Sequence, residues 1–156
     1  MELELLKKYR ALDFEKFSTD MDSFVNSNNI ESKTDYLLVT NLKSKYTYVF
    51  KKMNGKWVRL YKWLSTIGKP STPTIKGMFQ ISGRKSGFYG EDYSVKYATR
   101  IMGGYYYHSI LYSRDGKWIK DGQLGYALSH GCIRLDTKNA KWIYDNIPDN
   151  TMVLIA

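Results

Sequence analysis

The chain has 156 residues, 43% of them hydrophobic and 25% charged, a balance that fits one globular domain and excludes a disordered chain. Its 24 Lys and Arg against 15 Asp and Glu give a net charge of +9, which favours an anionic partner. No run of 18 apolar residues is present to cross a membrane as a helix, and a lone cysteine, Cys132, excludes a disulfide within the chain.

The opening Met1-Glu2-Leu3-Glu4-Leu5-Leu6 lacks the charged-then-apolar pattern of a secretory leader, which points to a cytoplasmic protein or to the soluble piece of something larger. Residues 1 to about 30 read as helical. Leu5, Tyr9 and Leu12 fall at i, i+4 and i+7, and Phe17, Met21 and Phe24 repeat the spacing, with Asp13 or Ser18 as the cap of a second helix. The polar run Asn26-Ser27-Asn28-Asn29 then reads as a short linker, so that residues 1–32 form an N-terminal helical segment and 33–156 the main domain. No function attaches to the segment; a small helical cap is the plain expectation.

From Asp35 the period changes to strands. Tyr36–Thr40 is a short apolar run, and Tyr46–Phe50 is rich in aromatic and β-branched residues. Asn54-Gly55 follows, then Trp57–Tyr61. This is a strong hairpin signal, because both central residues of a type I′ turn need positive φ. Further strands are expected around 77–82, 93–100 and 105–111. One late helix is expected, with Asp136 as its cap, Ala140, Ile143, Tyr144 and Ile147 along one face and Pro148 as its stop, before a closing strand at Met152–Ile155. Many strands and one late helix predict a mainly β, β-sandwich-like domain.

The chemistry concentrates in Ser129-His130-Gly131-Cys132-Ile133-Arg134. A thiol needs a base or a positive environment to act as a nucleophile. His130, Arg134 and a folded-back His108 can supply these. Gly131 permits close backbone approach and can free N–H groups for an oxyanion, and Arg134 can grip a carboxylate. A buried Cys, a turn Gly and an exposed Arg are the plain alternative. The stretch Gly68–Phe79, which holds Pro70 and Pro73, reads as a stiff loop leading into a strand.

At these residues the chain resembles the L,D-transpeptidase catalytic domain, the YkuD-type family, over about residues 33–156. His108, a spacer and Ser129-His130-Gly131-Cys132-Ile133-Arg134 follow the family pattern. Thr72-Pro73-Thr74…Gly77…Phe79 is similar to its Thr-Pro-x-Gly-x-Phe segment, and Asn139-Ala140-Lys141-Trp142 resembles the helix after its catalytic Cys. The resemblance implies Cys132 as nucleophile, His108 as general base and Ser109 as its orienter through the backbone carbonyl. It places the Gly131 and Cys132 N–H groups at the oxyanion, and Ser129, His130 and Arg134 along the donor site. Tyr93 is a further candidate contact that no motif fixes. The chemistry implied is a thioester acyl-enzyme on a peptidoglycan tetrapeptide stem, passed to a side-chain amine as a 3→3 crosslink, or to water by an L,D-carboxypeptidase. No cofactor is implied, and carbapenem-like β-lactams become expected acylating inhibitors.

The same resemblance places the chain outside the membrane, at the cell wall of a bacterium, with any anchor or signal beyond this sequence and anionic wall polymers as partners of its charge. Residues 109–128 form a longer spacer than the family usually shows, expected to be a hinged lid over the cleft or a passive surface hairpin. Three rivals stay open: a wall-binding module without catalysis; a zinc site of Cys132, His130 and His108; and a nucleic-acid binder. The last is disfavoured because the cations are scattered, with Lys7-Lys8 and Lys51-Lys52 the densest pairs.

Overall fold

A computed structural model describes residues 2–156. The chain opens with two short helices, α1 (Leu3–Arg10) and α2 (Met21–Ser27). The second is capped by Asp20, whose carboxylate accepts from Ser23 N at 3.1 Å. Asp13 and Ser18 therefore do not serve as the cap, contrary to the expectation from spacing. The Asp13 carboxylate instead accepts from Glu15 N at 2.9 Å, in a turn that interrupts the helical run.

Strands β1 (Tyr36–Asn41), β2 (Tyr46–Met53), β3 (Lys56–Leu64), β4 (Ile67–Gly68) and β5 (Gly77–Gln80) follow. Next come β6 (Arg84–Tyr89), β7 (Ser94–Met102), β8 (Tyr105–Ser109), β9 (Leu111–Tyr112) and β10 (Ile119–Asp121). β11 (Ala127–Ser129), β12 (Ile133–Leu135), α3 (Thr137–Asn146) and β13 (Met152–Ile155) close the chain. The β2–β3 turn has φ of 49° at Asn54 and 77° at Gly55, as a type I′ hairpin needs. Asp136 caps α3, as its position before the apolar stripe predicts.

One sheet runs β3-β2-β1-β13-β5; the other runs β10-β9-β7-β8-β12, with β6 on the outer side of β7. The domain is thus mainly β with a helix after the strands, in agreement with the sequence. Apart from its largely exposed edge strand β3, the first sheet is buried on both faces. Leu37, Val39, Tyr48, Phe50, Met152 and Leu154 meet Leu5, Phe17, Met21, Phe24 and Val25 of the N-terminal segment. Leu38, Val49, Val153 and Ile155 face the other way, toward Ile101, Tyr107, Ile133, Leu135 and the α3 residues Ala140 and Ile143. Two-sided burial explains why β1 and β13 read as continuous apolar runs rather than alternating ones. It also makes the N-terminal helices a third layer of the same packed body.

Among the described residues no helix is long and apolar enough to cross a membrane.

Candidate active site

β8 and β12 lie side by side and parallel, with His108 opposite Arg134 and Ser109 opposite Leu135. Parallel pairing in register puts the His108 and Arg134 side chains on one face. Cys132 sits in the loop that enters β12, so a strand pair of the second sheet brings the thiol, the imidazole and the guanidinium to one cavity of about 230 Å³. Ser129, His130 and Tyr93 line the same cavity. Thus six of the eight residues expected from sequence converge there. The other two, Ser109 and Gly131, stand immediately behind the lining.

The loop geometry is set by short-range hydrogen bonds. Ser129 Oγ donates to the Cys132 carbonyl at 2.6 Å and accepts from Gly131 N at 3.1 Å. The Gly131 N–H is therefore occupied in the resting structure, which leaves the Cys132 N–H as the freer of the two expected oxyanion donors. Gly131 has φ of +124°, and a Cβ there would stand 2.6 Å from Tyr105 Cε1, so both conformation and space demand glycine.

The stiff Gly68–Phe79 loop braces the Cys132 loop from behind. Lys69 N and Thr72 Oγ1 both donate to the Ser129 carbonyl, at 3.0 and 2.8 Å. Thr74 Oγ1 in turn accepts from Gly68 N at 2.9 Å. Thr66 pairs with Arg134 through both backbone groups, at 2.8 and 3.0 Å. This fixes the far end of the motif.

His108 is only 4% exposed, and its Nδ1 lies 2.7 Å from the Ser109 carbonyl oxygen. A carbonyl can only accept, so Nδ1 carries the proton and Nε2 is left as the basic nitrogen. Ser109 is itself fixed: its hydroxyl accepts from Lys96 N and donates to the Ile110 carbonyl, both at 2.8 Å. The Phe88 ring packs edge-on against the imidazole, 5.5 Å between centroids at 90°. Burial pushes the His108 pKa down to about 4, helped by the Arg134 charge and opposed by the hydrogen bond to Ser109.

Cys132 Sγ lies 3.4 Å from the Gly104 carbonyl oxygen. Burial raises its pKa, against the Tyr106 backbone N–H and the Arg134 charge, which both lower it. The resting pair is accordingly a neutral thiol and a neutral imidazole. Arg134 is 8% exposed; its Nη1 is 3.6 Å from Asp121 Oδ2, and its buried Nε has no hydrogen-bond partner. A buried guanidinium with an unmatched N–H is poised to accept a carboxylate or carbonyl oxygen.

The spacer 109–128 is neither a detached lid nor a hairpin clear of the cleft. β9 and β10 form a wall of the cavity through Leu111 and Lys120. Its tip is locked by Ser113 and Asp115, whose side chains hold Trp118 N and Lys117 N at 3.1 and 3.0 Å. Sequence reasoning missed Phe88, Asp92, Leu111 and Lys120 as lining residues and Thr72 as a brace. Thr72 lay within the recognised loop and Leu111 at the end of an expected strand, while the other three carried no local signal. Among the described residues no group of three or more His, Cys, Asp or Glu side chains is arranged to hold a metal ion.

The profile of the L,D-transpeptidase catalytic domain (YkuD) matches residues 35–155, most of the chain. The chain belongs to the L,D-transpeptidase family. It is 31% identical over 128 residues to a putative L,D-transpeptidase, YciB, of Bacillus subtilis, a match covering 74% of this chain and 63% of that protein. A solved structure of a fused Zn-dependent amidase/peptidase/peptidoglycan-binding domain-containing protein from Clostridium acetobutylicum superposes with a TM-score of 0.75 at 38% identity, over 92% of this chain and 62% of that one. The L,D-transpeptidase of Mycobacterium smegmatis gives 0.61 at 25% identity, over 78% of this chain and 58% of that one. The chain thus spans less than two thirds of the length of each of these relatives.

Proposed function

We propose that this chain is a cysteine acyltransferase acting on peptidoglycan tetrapeptide stems, with Cys132 as nucleophile and His108 as general base. The observation that carries the reading is the shared cavity: thiol, buried imidazole and buried guanidinium line one pocket, and the Ser109 carbonyl aims the imidazole by fixing its tautomer.

Because thiol and imidazole are both neutral at rest, the thiol proton moves as attack occurs rather than before it. Cys132 Sγ bonds to the carbonyl carbon between the third and fourth stem residues while His108 Nε2 takes the Sγ proton. The oxyanion draws on the Cys132 N–H and, if Ser129 releases it, the Gly131 N–H. The C–N bond then breaks, and His108 returns the proton to the leaving D-residue amine. A thioester remains on Cys132. A side-chain amine of a second stem attacks the thioester carbon while His108 takes the amine proton; the C–S bond then breaks, His108 returns that proton to the leaving Cys132 sulfur, and the 3→3 crosslink is released. Water in place of the amine makes the chain an L,D-carboxypeptidase. Arg134 binds a donor carboxylate, and Ser129, His130 and Tyr93 contact the donor. Carbapenem-like β-lactams acylate the same thiol. The substrate places the chain outside the membrane at a bacterial wall, where anionic polymers suit a charge of +9.

The test is mass spectrometry of products from tetrapeptide muropeptides, with Cys132→Ala alongside. Dimers joined 3→3 and lost in the variant establish a transpeptidase, and tripeptides alone indicate a carboxypeptidase. Residual turnover in a folded Cys132→Ala protein, or no acyl-enzyme mass in the unmodified one, defeats the assignment and favours a wall-binding module.

A further inference from the structure

The cavity around Cys132 carries charges that the acyl-transfer chemistry does not use. Apart from the two histidines, the charged side chains lining it are Asp92, Lys120 and Arg134. Asp92 lies in the turn between β6 and β7, and Lys120 on β10, so the two come from different walls. Lys120 Nζ donates to Asp92 Oδ2 at 2.7 Å and to the Asp92 carbonyl at 3.0 Å. The Lys120 side chain is 39% exposed and that of Asp92 77%, so the pair stands at the mouth, in contact with water. An exposed pair of this kind is worth at most about 1 kcal/mol and opens readily. Arg134, by contrast, is fixed: Asp121 buttresses it at 3.6 Å, and the Asp121 carboxylate is itself held by Gln123 N at 3.0 Å.

The lining therefore offers two cations and one anion. A donor stem ending in a D-residue always brings one terminal carboxylate, which Arg134 can take. If the third residue is lysine, its side chain adds one ammonium only, and Lys120 is left without a partner once the pair opens. If it is meso-diaminopimelate, the side chain ends in an ammonium and a carboxylate on one carbon. The third and fourth residues then carry two carboxylates and one ammonium between them, the complement of the lining. Opening the Lys120–Asp92 pair costs little, because each partner regains an opposite charge.

Resting on the acyl-transfer reading above, we propose that Lys120 and Asp92 are specificity-determining residues. They read the end of the donor's third side chain, Lys120 taking its carboxylate and Asp92 its ammonium, so the site selects a diamino-diacid over a plain diamine. Lys120 lies in the long spacer, which gives that insertion a role in donor choice.

The experiment compares kcat/KM for acyl-enzyme formation with two tetrapeptide stems, one carrying meso-diaminopimelate and one lysine, in the unmodified protein, Lys120→Met and Asp92→Asn. Circular dichroism and thermal melting check that each variant is folded, and thiol titration in denaturant checks that Cys132 is intact. The expected preference for the meso-diaminopimelate stem is about tenfold, the equivalent of one charge-assisted hydrogen bond. Lys120→Met brings the ratio close to one, whereas Asp92→Asn slows both stems. A ratio near one in the unmodified protein, or an equal loss on both stems in Lys120→Met, overturns the proposal while leaving acyl transfer standing; the second result would make the pair a structural latch only. No acyl-enzyme with either stem, in a folded protein whose thiol is intact, overturns the acyl-transfer reading and this proposal with it.

Discussion

The buried imidazole should leave a signature in the pH dependence of stability. In the folded chain the His108 pKa falls from 6.5 to about 4, chiefly through burial. Between those values the unfolded chain binds a proton that the folded chain refuses, so stability rises with pH across that window and is fully present above about 6.5. Each pKa unit is about 1.4 kcal/mol, so acidification from neutrality costs about 2 kcal/mol by pH 5 and about 3 kcal/mol by pH 4. Carboxylates also contribute to acid unfolding, and His108→Gln isolates the histidine's share. Urea unfolding of the two proteins at pH 7.5, 6, 5 and 4.5 should give a difference that narrows steadily in the variant's favour as pH falls. The same displacement fixes the acid limb of catalysis: kcat/KM for acylation should fall near pH 4 rather than near 6.5. Parallel unfolding curves for the two proteins down to pH 5, together with an acid limb at 6.5, would show that the imidazole is hydrated and would refute the neutral-pair account.

Gly131→Ala should slow acylation at least about 100-fold and cost about 2 kcal/mol of stability, because a Cβ at φ +124° meets the Tyr105 ring; acylation kinetics beside thermal melting check both. Phe24→Ala should cost about 3–5 kcal/mol in urea unfolding, since Phe24 is fully buried between α2 and the first sheet; a loss under about 1 kcal/mol would show that the N-terminal helices are not part of the core.

Legibility in the sequence followed the range of the interactions. The β2–β3 hairpin was readable because Asn54-Gly55 decides the turn within two residues. α3 was readable because Asp136, the Ala140–Ile143 stripe and Pro148 lie within one helix length. The strands missed were β4, β6, β10, β11 and β12, and the single strand expected over 105–111 is split into β8 and β9. β6 reads Arg-Lys-Ser-Gly-Phe-Tyr, a half-exposed strand whose existence depends on pairing with β7. β4 and β11 are two and three residues long and define each other. The N-terminal helices were recognised by period but mis-capped: Asp13 and Ser18 were the expected caps, and Asp20 takes the role through its bonds to Ser23 N and Ser23 Oγ. In the site, residues inside the Ser129–Arg134 motif and His108 were legible. Asp92 and Lys120 were not, since 28 positions separate them and neither has a local pattern.

The geometry also bears on how a lone thiol survives until substrate arrives. Oxidants and alkylators attack the thiolate, and burial holds Cys132 protonated against the pull of Arg134 and the Tyr106 N–H. The base is held neutral by the same burial, so neither group is charged until a carbonyl carbon is in reach and the developing oxyanion gives the proton transfer somewhere to lead. Arg134 connects these states. In the empty cavity its charge disfavours imidazolium; under the proposed mechanism a bound donor carboxylate would neutralise that charge. Donor binding would then remove one of the two influences that hold the His108 pKa down, at the step where His108 is proposed to accept a proton. On this argument Arg134→Met would weaken donor binding while raising the acid limb of the free enzyme above pH 4, a pairing of effects that a residue serving only to hold substrate would not produce.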